Sequence, residues 1–215
     1  MRTILLFLVT CLISFSVFSQ TRLKEITHYL FPEFTKGTVL LKNGNKQETL
    51  LNYNALTEEM IFNNNGKKLA IGPVEQVDTI LVSGRKFIPL EGKFVEIIYH
   101  NKLEIYASHK CSIVDPGKPA AYGGTSQTSS TTIISSYMSG GQMYEMELPD
   151  GIQTKAFTEY WLKKDGKPVM FVSLRQLSKQ FGDKTELFKK FVKENKVDYD
   201  NQESLIALVK YMEQQ

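Results

Sequence analysis

Among 215 residues there are two cysteines, one tryptophan and three histidines, and the formal charge is only +3. Each scarcity excludes something. With 26 Lys+Arg set against 23 Asp+Glu, the chain carries no field that would draw it to nucleic acid or to anionic lipid. Two cysteines cannot supply the disulfide framework of a small secreted scaffold. No P-loop, dinucleotide fingerprint, H-E-x-x-H or G-x-S-x-G motif occurs, so nucleotide, zinc-peptidase and serine-elbow chemistry find no support. What is present, at 42% hydrophobic and 23% charged residues, is the composition of a folded protein long enough for one or two domains.

The longest apolar run stands at the beginning. After Met1-Arg2-Thr3, residues Ile4 to Phe18 are apolar except for Thr10, Ser14 and Ser16. Ser19, with Val17 two places earlier, fits a signal-peptidase site, which predicts a signal peptide over residues 1–19 cleaved before Gln20. The run is about 15 residues, short of the roughly 20 that span a bilayer. Leu8-Val9-Thr10-Cys11 offers a competing lipoprotein reading. It is opposed by Thr10 where a smaller residue normally stands, by the short apolar segment before it, and by the apolar residues that follow Cys11. Cleavage would remove 19 of 215 residues, taking Arg2 and Cys11 with them, and leave 25 basic against 23 acidic side chains. Cys111 would then be the single cysteine, so no intrachain disulfide is expected. No later run reaches spanning length, which predicts a soluble exported protein without a stable transmembrane segment: periplasmic, outer-membrane-associated or secreted.

From 20 to 114 the pattern is that of an antiparallel β meander of about eight strands. Turn signals recur at Asn43-Gly44, Asn52 to Ala55, Asn65-Gly66, Gly72-Pro73, Ser83-Gly84, Glu91-Gly92 and Asn101-Lys102. Between them lie β-branched and aromatic runs such as Thr38 to Leu41, Thr79 to Val82 and Phe94 to Tyr99. Asn-Gly favours two-residue type I′ turns, where both residues take positive φ. Barrel and sandwich closures both suit such a sheet. Residues 115–143 form a Gly/Ser/Thr-rich loop or insertion: from Gly123 to Gly141, fourteen of nineteen residues are Gly, Ser or Thr and none is charged. It reads as a solvated connection, with a ligand-facing flap as the alternative. Residues 144–215 return to strands at Tyr144 to Leu148 and in a hairpin around Asp165-Gly166, then end in short helices packed on the same core. Ser173 with Gln176, and Asp183 with Glu186, have capping-box spacing. The apolar stripes are Leu174, Leu177 and Phe181, then Leu187, Phe188, Phe191 and Val192, then Leu205 to Met212. The fold class is therefore α+β, mainly antiparallel β.

Several segments together resemble uncharacterised exported β-rich proteins of gram-negative bacteria. They are the leader ending Phe18-Ser19-Gln20, the strand and turn Gly37 to Gly44, Pro119-Ala120-Ala121-Tyr122-Gly123-Gly124, and the ending Phe191 to Met212. The resemblance implies export and architecture and carries no activity or site residue.

Candidate sites are few. His109 and Cys111, two apart, would share a strand face, but a third metal ligand is missing. A two-residue Asn101-Lys102 turn would pair His100 with Leu103 and set His109 opposite Phe94, about 20 Å away along the hairpin. His28 precedes the first strand. Cys111 reads as a small buried apolar residue. The stretch Asp198 to Val209 lacks the Gly and Glu of a calcium loop and reads as the start of a helix. Glu145 and Glu147 alternate with Tyr144, Met146 and Leu148, as in a half-exposed strand. The lysines among Lys184 to Glu194 read as the solvated side of an amphipathic helix, and the aromatic group Phe157, Tyr160 and Trp161 reads as core, with sugar or apolar-ligand stacking as the alternative. No catalytic, cofactor-binding or metal-ligating residue is assigned and no cofactor is implied. The function expected is a noncatalytic binding or scaffolding module for an envelope partner or a small apolar or glycan ligand. An envelope hydrolase with a dispersed site, or a secreted or surface-displayed interaction protein, are the alternatives. Nucleic acid is excluded as a partner and the oligomeric state is left open.

Overall fold

The structure, a computed structural model, describes residues 28–114, 118–119, 125–126, 144 and 153–215. Its strand lengths follow from turn chemistry. Asn65-Gly66, Ser83-Gly84, Glu91-Gly92 and Asp165-Gly166 each place both residues at positive φ, the twist that lets a two-residue turn join antiparallel strands. They close β3 (Glu59–Asn64) onto β4 (Lys67–Ala70), β5 (Val77–Val82) onto β6 (Arg85–Leu90), β6 onto β7 (Lys93–His100), and β11 (Gln153–Lys164) onto β12 (Lys167–Phe171). Asn43-Gly44 departs from the expected type I′ turn. Only Gly44 has positive φ, and the N–H groups of Leu41 and Gly44 donate to Asn45 O and Leu41 O, both at 2.9 Å. This longer, bulged loop joins β1 (Thr35–Leu41) to β2 (Lys46–Asn54).

With β8 (Glu104–Val114), ten strands form one open antiparallel sheet in the order β12-β11-β8-β7-β6-β5-β1-β2-β3-β4. The two-residue strands β9 (Lys118–Pro119) and β10 (Thr125–Ser126) pair separately. The rest of the expected loop, the expected leader at residues 1–19, and all of the expected strand Tyr144 to Leu148 except Tyr144 lie outside the described residues. The fold is α+β and mainly antiparallel β, and among the described residues the ten-stranded sheet is open, not closed into a barrel. It curls enough for Tyr53 Oη on β2 to donate to Phe94 O on β7 at 3.1 Å.

Two cores lie against the sheet. Inside the curl, alternate residues of successive strands meet: Val39, Leu51, Tyr53, Met60, Ile80, Val82, Phe87, Phe94 and Cys111. Farther along β8 the same face turns to the helices. Ile105 and Ala107, with Tyr160, Leu162 and Phe171, pack against Leu177, Phe181, Phe188, Leu205, Leu208, Val209 and Met212. These helical residues belong to α1 (Leu174–Ser178), a 3-10 turn over Lys179–Lys184, α2 (Thr185–Asn195) and α3 (Gln202–Glu213). Ser173 caps α1 by accepting from Gln176 N–H, and Asn201 caps α3 by accepting from Ser204 N–H. The expected Asp183–Glu186 box does not form. A kink at Gly182 (φ 49°) shifts the start of α2 to Thr185, whose N-cap Lys184 has no side-chain bond to offer. Leu187, expected in the stripe, is 39% exposed, whereas Phe188 beside it is buried. At the other end of α3, the Glu213 carboxylate accepts from Tyr99 Oη, Asn101 Nδ2 and Leu103 N–H at 2.7, 2.7 and 2.6 Å, tying the helix to the β7–β8 turn. No helix among the described residues is long and apolar enough to cross a membrane.

Candidate ligand cleft

Consecutive strands β4 and β5 are separated in the sheet by β3, β2 and β1, so residues 71–76 must cross three strand ends. The crossing is held by Ile71 N–H to Met60 O (2.8 Å) and by Lys42 N–H to Gln76 O (2.9 Å). Between this strap and the concave face lies a cleft of about 490 Å³. Val39 and Leu41 of β1, Gln47 and Thr49 of β2, and Phe62 of β3 form one wall, and Ile71, Gly72, Pro73, Gln76 and Val77 form the other. Pleating explains the first wall: Val39 pairs with Gln47, Gly37 with Thr49, and Leu51 with Phe62, so these side chains share the face of buried Leu51 and Tyr53. The cleft combines apolar side chains with the polar residues Gln47, Glu48, Thr49 and Gln76. Its volume falls within the roughly 300–1,000 Å³ of small-molecule sites.

A second constellation is buried where the two cores meet. Glu96, 6% exposed, accepts from the Nε and Nη2 of Arg85 and from His109 Nε2 at 2.6 Å. Arg85 also lies over the rings of Phe31 and Phe87, at 5.7 and 6.0 Å. Burial works to raise the Glu96 pKa, but the bonds from His109 and Arg85 outweigh it and hold the carboxyl below its ordinary range. An ionised Glu96 at 2.6 Å requires the Nε2 hydrogen on the imidazole, which leaves that nitrogen no lone pair for Arg85 Nη2, 3.0 Å away. Tyr53, edge-on to His109 at 6.2 Å, is pushed far above the ordinary phenol range by burial, then by Glu58 and Cys111. Cys111 is pushed up to about 11 by burial, which keeps it a thiol.

His109 and Cys111 do share a buried face of β8, but His109 turns to Glu96. Among the described residues no three His, Cys, Asp or Glu side chains gather as metal ligands. The β7–β8 turn is longer than expected. His100 pairs with Glu104, not Leu103, and an irregularity between Ile97 and Tyr99 restores the register that sets Glu96 opposite Ala107. His28 is fully buried, its ring 4.7 Å from that of Tyr29, and its main-chain O accepts at 2.8 Å from the N–H of Ala55, whose own O accepts from Cys111 N–H. The aromatic group is divided by the pleat: Tyr160 is buried under the helices, whereas Phe157 is 43% exposed on the opposite face, where Trp161 pairs with Tyr106 and Met170. Asp198 to Ser204 forms the cap of α3, with Ser204 Oγ donating to Asp198 O at 2.9 Å. On α2, Lys189 pairs with Glu186 at the surface. Glu145 and Glu147 lie outside the described residues.

Sequence reasoning missed Arg85 and Glu96. Their signal was available: Glu96 interrupts the apolar run Phe94-Val95-Glu96-Ile97-Ile98, and a charge at the centre of a buried strand requires a partner. Comparison with family models, with curated proteins and with solved structures returns no match.

Proposed function

We propose that this protein is an exported cell-envelope module that binds a small, largely apolar ligand without transforming it. The observation that carries the reading is the cleft itself: about 490 Å³, set between the strap and the concave sheet, where Val39, Leu41, Phe62 and Ile71 supply apolar surface beside a few polar groups. Export rests on the leader at residues 1–19 and on the cleavage site before Gln20. The Glu96–His109 pair is the arrangement a hydrolase would use to orient a base. Here, however, the carboxylate and Arg85 occupy the surroundings of Nε2, both titratable partners are buried, and the neighbouring thiol is protonated. The pair therefore favours a structural role.

Titration with Nile red, an uncharged apolar dye, tests the binding reading. Saturable fluorescence enhancement that Leu41→Asp abolishes, with the melting temperature preserved, is the expected result. Enhancement unchanged by that substitution would place the dye elsewhere and remove the support. Export is checked by fractionating cells and sequencing the mature N-terminus, expected at Gln20; a chain that keeps Met1 in the cytoplasm overturns it.

A further inference from the structure

Which main-chain groups of β2 are already used follows from its register. Leu41 N–H donates to Asn45 O, so the β1–β2 pairs in the same phase, Val39 with Gln47 and Gly37 with Thr49, are the ones that exchange hydrogen bonds. Alternation turns the N–H and C=O of Lys46 and Glu48 to the opposite edge. β3 would meet them there, but its pairing with β2 ends at Leu50 and Asn63, because Asn65-Gly66 reverses the chain into β4. Among the described residues nothing pairs with β2 beyond that point on this side. The cleft records the same fact. Gln47, Glu48 and Thr49 line it consecutively, yet a pleated strand shows only alternate side chains to one face. Glu48 therefore contributes its main chain.

We infer that the cleft receives an extended peptide segment of a partner protein, which adds as a strand to the Lys46–Thr49 edge of β2. The inference rests on the cleft being the binding site. Strand addition satisfies unpaired main-chain donors and acceptors and delivers alternate side chains into a neighbouring pocket. Lys46 and Glu48 offer both groups each, which suits a partner stretch of about three residues, roughly 7 Å long. The charge distribution defines its chemistry. The side chains of Lys46 and Glu48 share the convex face with Leu50, 39% exposed. The concave side presents only apolar and uncharged polar groups such as Leu41, Phe62, Ile71 and Gln47. The peptide side chains entering the cleft are accordingly uncharged and apolar.

The test uses the ¹⁵N-labelled protein and a panel of capped hexapeptides alternating threonine with valine or leucine. A panel peptide is expected to displace Nile red and to shift the Lys46 and Glu48 amides. N-methylating the peptide residue opposite Glu48 is expected to weaken binding about threefold to tenfold, the range of one hydrogen bond. Glu48→Pro, which removes an N–H that β1 does not use, should weaken the parent peptide similarly while the melting temperature reports folding. An N-methylated peptide that binds as tightly as its parent overturns strand addition even if Glu48→Pro fails to fold. Nile red bound in the cleft with no peptide displacing it overturns strand addition and leaves the small-ligand reading standing. Absence of Nile red binding defeats that reading instead.

Discussion

The main-chain N–H of Cys111 donates to the carbonyl of Ala55 across 2.9 Å. Cys111 lies on β8 and Ala55 follows β2, strands that β7, β6, β5 and β1 separate in the sheet. A bond between them exists only because the sheet curls through those strands, so it marks the seam of the concave core. The strand twist that curls the sheet is generic, whereas the groups that hold this seam are specific.

Glu58, in the turn after Ala55, is the principal one. Its carboxylate meets Lys93, Ser108 Oγ at 3.0 Å and Lys110 at 3.4 Å. Burial works to raise its pKa, but these partners lower it overall. Glu58→Gln keeps the shape and loses the charge. It should cost about 1–3 kcal/mol, with the Lys93 contribution small because that side chain is half exposed. Urea denaturation measures the loss; an unchanged midpoint would mean that backbone pairing alone holds the seam.

Glu96 should make the protein acid-sensitive. Its folded-state pKa is lowered, so the stabilisation is complete above the ordinary carboxylate value of 4.5 and is lost as pH falls below it through the lowered value. Glu96→Gln should flatten the stability-versus-pH curve in that acid window. At neutral pH it should cost about 3–5 kcal/mol by leaving Arg85 without its counter-charge. Replacing Arg85, Glu96 and His109 together by apolar residues of similar size should recover most of that loss, because the desolvation cost of the ions disappears with them. Denaturation of the single and triple variants from pH 3 to 7 decides it. Equal instability of the two at pH 7 would contradict a balance set by buried charge.

Local chemistry made much of this fold legible. Positive-φ turns announced four hairpins, and Ser173 announced the cap of α1. What failed to show were features set by distant contacts. The sequence 43–45 does not reveal that Asn45 O bonds Leu41 N–H and lengthens the loop. The kink that displaces the Asp183 cap is the exception, since Gly182 beside it is itself a local signal of positive φ. The cleft is not legible in the sequence, because its walls come from strands and a crossover whose order in the sheet no local pattern encodes. Arg85 and His109 find Glu96 through register, which a one-residue irregularity in β7 adjusts.

Gly37 tests the packing under the cleft. A Cβ built there would lie 2.7 Å from Leu51 Cδ1 and 2.7 Å from the main-chain oxygen of Leu81. The first contact can relax by rotation of a side chain, whereas the second belongs to the β1–β5 ladder and cannot. Gly37→Ala should therefore destabilise by about 1–3 kcal/mol. Leu51→Ala in the same chain should add its own cavity cost without rescuing it. Thermal denaturation of the single and double variants measures both, and rescue by Leu51→Ala would show that the side-chain clash, not the main chain, was the obstacle.

Cys111 reports whether the seam opens. Cys111 is 7% exposed, and burial pushes its thiol up to about 11. Ellman's reagent at pH 8 should react with it slowly in the folded protein, at a rate limited by opening. Glu58→Gln should raise that rate by about the factor its stability loss predicts, roughly fivefold to a hundredfold for 1–3 kcal/mol. Glu213→Ala, which frees α3 from the β7–β8 turn on the helical side of β8, should raise it far less. Equal acceleration by the two variants would mean that the thiol is exposed by global unfolding and that the seam has no separate opening.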